Sequence, residues 1–244
     1  MEDIISRTKK LSTFLREKVN SLQLKHCLLC LESGGSAHIC TACSTDLTPP
    51  KHPCSRCGVS RIASDAVPCG RCLRQPPHFD ASTSAFDYIF PMNHIIGQLK
   101  YGDKRYWARA LAQAALPAFQ QAYAHISAPI LIPVPMHKSK QRKRGFNQAE
   151  LLARSLARYA NAKYSNKLCR RIKASPPQTG LNRKSRRSNV KNGFEASSKL
   201  PQQPLIIIDD VVTTGSTVDE LARTLKQAGA LEVYVFSIAR RSMD

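Results

Sequence analysis

The stretch LIIIDDVVTTGST, Leu205 to Thr217, sets four apolar residues before two adjacent carboxylates and a small, hydroxyl-rich turn. An ionised carboxylate can only accept hydrogen bonds, so Asp209 and Asp210 suit the hydroxyls of a sugar. Val211 and Val212 lead on to Thr213, Thr214, Gly215, Ser216 and Thr217. The backbone N–H groups and hydroxyls of that turn, at the positive end of a helix, can cradle a phosphate. Gly215 permits the close approach and unusual dihedrals that a cradle requires. Acids for the sugar and a turn for the phosphate match a ribose 5-phosphate. A nucleoside triphosphate fits poorly, because no G-x4-G-K-[ST] motif or phosphate lysine occurs in this stretch. The plainer alternative is a strand end followed by a helix capped by Thr or Ser. Two acids ahead of the turn favour the sugar phosphate.

A second chemistry lies nearer the N-terminus. The spacing is Cys27-x2-Cys30-x9-Cys40-x2-Cys43, then Cys54-x2-Cys57-x11-Cys69-x2-Cys72. Each Cys-x2-Cys pair can offer two sulfurs to one metal, and two pairs supply the four thiolates of a structural zinc site. Four pairs give two Zn2+ sites, most simply in sequence, with a cross-braced pairing using the same residues. The knuckle–loop–knuckle rhythm favours zinc ribbons over iron–sulfur clusters or redox pairs. Closed four-thiolate sites leave no open position for water, so their role is structural. His26, His38 and His52 are not needed to complete either set, and Cys169 reads as a buried strand residue. Metal removal is expected to unfold residues 27–72 and leave the rest largely folded.

These groups need elements to hold them. Apolar patterning predicts strands at 84–90, 130–134, 168–172, 205–208 and 232–238, and helices at 92–100, 105–123, 147–160 and 216–228. Asn147 with Glu150 resembles a capping box, Gly229 suits a helix stop, and Pro117 should kink or divide its helix. Alternating strands and helices with near-continuous apolar strands predict an α/β fold on a parallel sheet. Residues 1–24 read as an amphipathic helix, 25–78 as a double zinc ribbon, and 79–244 as the α/β domain.

At 244 residues the chain can bury one good core and a small extra module. Its 37 Lys+Arg against 17 Asp+Glu give a net charge of +20, which favours anionic partners. Between Lys138 and Lys191 stand 17 basic residues and one acid, Glu150. No apolar run is long enough for a membrane span, the N-terminus lacks signal-peptide character, and a cytoplasmic location is expected.

The 205–217 stretch closely resembles the PRPP-binding motif of type I phosphoribosyltransferases, and KQAGALEVYVFSIAR resembles that family's next helix and strand. Together with LIPVPMHKSKQRKRGFNQAELLA, PPQTGLNRKSRRSNVKNGFE, QLKYGD and the cysteine module, the chain resembles the ComF/GntX group from about Cys27 to Arg240. That group is associated with DNA uptake in competence or with use of DNA as a nutrient. The resemblance implies a Rossmann-like parallel sheet, with Asp209 and Asp210 on the ribose and Thr213 to Thr217 on the 5-phosphate. Pro135, Arg144 and Gly145 would belong to the pyrophosphate loop. Arg183, Arg186 and Arg187 would lie in the loop that closes over the pyrophosphate. Arg144 and these three would stabilise the departing charge together with Mg2+. Residues 73–106 carry no base-recognition pattern.

Three functions follow from these features. The first is Mg2+-dependent phosphoribosyl transfer from PRPP to a nitrogenous acceptor. The second is a PRPP-sensing adaptor that binds single-stranded DNA through the ribbons and the basic stretch. The third is a partner of a DNA-import helicase.

Overall fold

Strands that are apolar at every position must be covered on both faces, and the sheet obeys that demand. The computed structural model describes residues 26–33, 38–62, 67–102, 104–173 and 190–242. The expected helix at 1–24 and the arginines Arg183, Arg186 and Arg187 lie outside the described residues. The chain divides into two compact units, Met1–Asp46 and Leu47–Asp244.

In the first unit a short helix, α1 (Thr41–Thr45), follows Cys40. The second unit opens with its own cysteine segment and a matching helix, α2 (Gly70–Arg74), after Cys69. It continues through β1 (Ala81–Asp87), α3 (Met92–Tyr101), α4 (Trp107–Tyr123), β2 (Ile130–Pro133), α5 (Lys138–Arg144) and α6 (Gln148–Tyr159). Then come β3 (Lys163–Tyr164), β4 (Cys169–Arg171), β5 (Phe194–Ala196), β6 (Leu205–Val212), α7 (Ser216–Gln227) and β7 (Val233–Arg240).

Five strands form a sheet in the order β1-β7-β6-β2-β3, with every neighbouring pair parallel. Leu205, Ile207, Val233 and Val235 share a core with Val218, Leu221 and Leu225 of α7. On the alternate positions Phe236 meets Phe119 and Tyr123 of α4 edge-on, at 5.2 and 6.2 Å between ring centroids. Both faces of the central strands are therefore dry, as a parallel sheet requires.

Several expectations need correction. The segment around 168–172 does form a strand, but β4 pairs antiparallel with β5 in a separate two-stranded ribbon. β1 begins three residues earlier than expected, because Ala81 to Ser84 pair with Tyr234 to Ser237. Pro117 sits inside α4 without dividing it. A proline removes one intrahelical bond, and Ala112, Ala115 and Phe119 around it are all buried against the body. The stretch after Pro135 is a helix, α5, where a loop was expected. His137 caps it by accepting from the Ser139 N–H, and Gly145 ends it at φ 82°. Lys, Arg and Gln between those two stops are good helix formers.

Candidate sugar-phosphate cleft and two cysteine sites

β6 outlasts its neighbour. β2 ends at Pro133 beside Ile208, and the N–H of Val134 bonds to the Ile208 carbonyl at 2.9 Å. β6 continues alongside β7 as far as Val212 opposite Arg240. Asp209 and Asp210 therefore stand within the strand, just past the carboxyl end of β2, where open α/β sheets collect ligands. Thr213 and Thr214 follow, and Gly215 takes the N-cap place of α7 at φ 78° with no side-chain cap. Thr214 Oγ1 lies 2.9 Å from Ser216 Oγ and accepts from the Ser216 N–H at 3.4 Å. Gly215 thus holds the N-cap place, and the N–H of the first helical residue is met by Thr214.

The cleft has a volume of about 1280 Å³. The structure brings Asp209, Asp210 and all of Val211 to Thr217 to one wall, with Pro135, Arg144 and Gly145 also lining it. A polar chain links the two sides. Arg144 Nη1 donates to Gln148 Oε1 at 2.6 Å, and Gln148 Nε2 donates to Asp210 Oδ1 at 3.1 Å. The Arg144 guanidinium also lies over the Tyr101 ring, 5.3 Å from its centroid.

Sequence reasoning missed two participants. Gln148 is one, and Lys100 at the end of α3 is the other, its ammonium paired with Asp210. Lys100 lies within QLKYGD, but no periodicity relates it to β6, so only the fold reveals the contact.

The two acids are electrostatically unlike. Burial alone would raise Asp210, yet Lys100 and the Gln148 hydrogen bond hold its carboxyl below the ordinary aspartate value. Asp209 is pushed well above that value by burial and then by the neighbouring Asp210 charge. Its Oδ1 accepts from the Asp210 N–H at 2.9 Å. One carboxylate is thus held ionised, while the other is ready to be neutralised or paired by an incoming cation.

The cysteines gather into two sequential sets, Cys27, Cys30, Cys40, Cys43 and Cys54, Cys57, Cys69, Cys72, each with its sulfurs within 4.8 Å of one another. The cross-braced alternative is thereby excluded. Both sets use one local design. The Cys27 sulfur accepts from the Cys40 N–H at 3.3 Å, and the Cys54 sulfur accepts from the Cys69 N–H at 3.1 Å. Burial opposes ionisation of Cys27 and Cys54, but these and other backbone donors bring each thiol down to about 6. Four convergent thiols with N–H donors aimed at them can hold a metal ion, and all-sulfur tetrahedral sets suit soft or borderline metals. None of the three neighbouring histidines belongs to either set. Cys169 is buried in β4 as expected.

The sets differ in setting. Cys54, Cys57 and Cys72 belong to the core that also contains Phe79 and α7. The second set therefore packs as part of the α/β unit. Its cysteines are part of the body's core.

Together these features define a parallel α/β protein with two acids and a small polar turn at the sheet's carboxyl edge, preceded by two four-cysteine sites. No family model matches the sequence. Competence protein F of Haemophilus influenzae is 32% identical over 222 residues, spanning 86% of this chain and 96% of that protein. DNA utilization protein YhgH of Escherichia coli O157:H7 is 34% identical over 219 residues, spanning 88% and 96%. Competence protein ComFC of Bacillus subtilis is 25% identical over 211 residues, spanning 83% and 84%. The chain belongs to the ComF/GntX family. Among solved structures, an allosteric regulatory enzyme of purine biosynthesis matches with a TM-score of 0.35 and 17% identity over 54% of this chain. The chain spans 25% of that structure's length. No helix among the described residues is long and apolar enough to cross a membrane.

Proposed function

We propose that this protein binds PRPP in the cleft at the end of β6 and transfers its phosphoribosyl group to a nitrogenous acceptor. It would act in the cytoplasm, in DNA uptake or in the use of DNA as a nutrient, a reading supported by relatives named for competence and for DNA utilization. The observation that carries the reading is a single cleft lined by two adjacent acids, the small polar turn that opens α7, and the basic residues of α5.

In this reading Asp209 and Asp210 accept hydrogen bonds from the ribose 2′ and 3′ hydroxyls, and Thr213 to Thr217 hold the 5-phosphate. Lys100 must yield the Asp210 carboxylate, or share it, when the ribose arrives. Arg144 is positioned by Gln148 and Tyr101 toward the pyrophosphate side, with Arg183, Arg186 and Arg187 assigned to the closing loop. The C1′–O bond to pyrophosphate breaks with its electron pair leaving on oxygen. A nitrogen lone pair of the acceptor forms the new C1′–N bond, and that nitrogen then loses its proton. Guanidinium groups stabilise the growing negative charge on the leaving oxygens. Mg2+, when bound with the substrate, neutralises part of the same charge, and a cleft carrying two carboxylates fits such a hard, oxygen-seeking ion. Zn2+ is the metal proposed for both four-cysteine sites, in a structural role.

Calorimetry with Mg–PRPP tests the binding step. Wild type should release heat with saturable binding, and Asp209→Asn with Asp210→Asn should abolish it. Saturable binding that survives the double variant would overturn the assignment. Pyrophosphate release across a panel of bases and amines tests the transfer step.

A second reading is supported by α5, whose Lys138, Lys140, Arg142 and Lys143 are exposed beside the cleft. Here PRPP is a ligand or signal, and this basic face holds single-stranded DNA, with a DNA-import helicase as a protein partner. Binding to an oligonucleotide should weaken steeply with salt, and charge reversal at Arg142 and Lys143 should reduce that slope. An unchanged slope removes α5 from the account.

A further inference from the structure

Arg240 closes β7 and is 1% exposed, although guanidinium groups remain charged in proteins. A buried charge persists only beside a compensating group. Arg240 interacts with the sulfur of Cys57. It also reaches the turn proposed to hold phosphate: a Cβ added at Gly215 would lie 3.8 Å from Arg240 Nη1. A second arginine makes the same connection from within the metal knuckle. Arg71 stands between Cys69 and Cys72 in α2, and its Nη1 donates to the Thr214 carbonyl at 2.8 Å. Cys57, Cys72, Arg71, Arg240, Thr214 and Gly215 line one small pocket.

Four thiolates around a divalent ion leave the centre with net negative charge, and the chain places two arginines between that charge and the 213–217 turn. We propose that the second four-cysteine site is a positioning device for this turn. The metal-bound thiolates hold Arg240 and Arg71 in place, and those arginines fix the Thr214–Gly215 backbone that opens α7. Loss of metal at this site would loosen the turn and weaken anion binding in the cleft. The consequence for ligand rests on the reading of the turn as a phosphate holder, whereas the ordering of the turn does not.

The test is amide hydrogen exchange over residues 213–217 in the full chain, with metal per chain measured for each variant. Cys72→Ser removes one ligand of the second site, and Arg71→Gln keeps all eight cysteines but removes the link to Thr214. Both should speed exchange in the turn about tenfold, the equivalent of one charged hydrogen bond. Cys30→Ser, in the first site, should leave it unchanged. Arg71→Gln should also weaken Mg–PRPP binding by about the same factor while retaining both metals. If Cys72→Ser fails to fold, Arg71→Gln decides the matter alone. Exchange in the turn that is identical between wild type and Arg71→Gln overturns the proposal. If wild type takes up no PRPP at all, the phosphate reading fails, and the exchange comparison still decides the coupling.

Discussion

The two cysteine segments are built alike up to the point where one of them meets a sheet. In both, the first cysteine's N–H bonds to a carbonyl five residues on, Cys27 to Glu32 and Cys54 to Val59, each at 2.9 Å. In both, the residue after the second cysteine bonds back to the first, Leu31 to Cys27 and Gly58 to Cys54. That residue has φ 63° at Leu31 and φ 67° at Gly58. The same left-handed turn is therefore made by leucine once and glycine once. Leu31 is 72% exposed, so nothing crowds its side chain and only a modest backbone strain is incurred. At Gly58 a Cβ would lie 2.6 Å from the Ser82 carbonyl oxygen. The second segment lies on the free edge of β1, where the Ser82 N–H bonds to the Arg56 carbonyl at 2.9 Å, and so covers an edge that would otherwise invite pairing. One design thus recurs in both units, and in the second it is part of the α/β body.

The largest expected difference comes from removing a ligand on each side. Cys72→Ser should destabilise the α/β body by about 4 kcal/mol or more, since it costs both metal binding and a buried core position. Cys30→Ser should cost the first site its metal and leave the main melting transition in place. Thermal unfolding followed by circular dichroism, with zinc analysis, checks both. Equal effects on the main transition would erase the distinction between the two segments.

Gly58→Ala comes next, with a loss of about 2–4 kcal/mol from a forced left-handed dihedral and a clash with β1. Leu31→Gly at the matching position should change stability by less than about 1 kcal/mol. Denaturant midpoints measure the pair, and a tolerated Gly58→Ala would mean that the second segment is not held against β1.

The remaining effects concern the cleft, which shares the second segment's unit, and they have opposite signs. Asp210 has a folded-state pKa below its unfolded value, so the stability it contributes is present above the ordinary aspartate range and is lost as pH falls through the folded value. Asp209 has a raised folded-state pKa, so stability falls as pH rises above the unfolded value, until the folded value is passed. At neutral pH, Asp210→Asn should destabilise by about 3 kcal/mol, because Lys100 loses its buried partner. Asp209→Asn should raise the melting temperature by about 2–4 °C and flatten its pH dependence, a gain in stability at a position proposed to hold the ribose. Melting curves from pH 3 to 8 read both. A stabilising Asp210→Asn would reverse the roles assigned to the two acids.

Much of the site was legible in one dimension because its parts are local. Asp209, Asp210 and the 213–217 turn are consecutive, and a strand end leading into a helix needs little more than its own sequence to be recognised. The sequential cysteine sets follow from short loops between their knuckles. Lys100 and Gln148 as partners of Asp210, and Arg71 and Arg240 as neighbours of the turn, were not legible. Each is unremarkable in its own segment, and its role arises from pairing across distant elements.

Sequence alone determined the chemistry on offer: eight thiols in four pairs, two adjacent acids, a polar turn and a basic excess. Those follow from residue type and short spacing, which the chain cannot alter by folding. Tertiary structure alone decided which acid stays ionised, which cysteine set joins the core, and which arginines stand between that set and the turn. Charge, burial and contact at those positions are set by neighbours far away along the chain, and only packing brings those neighbours together.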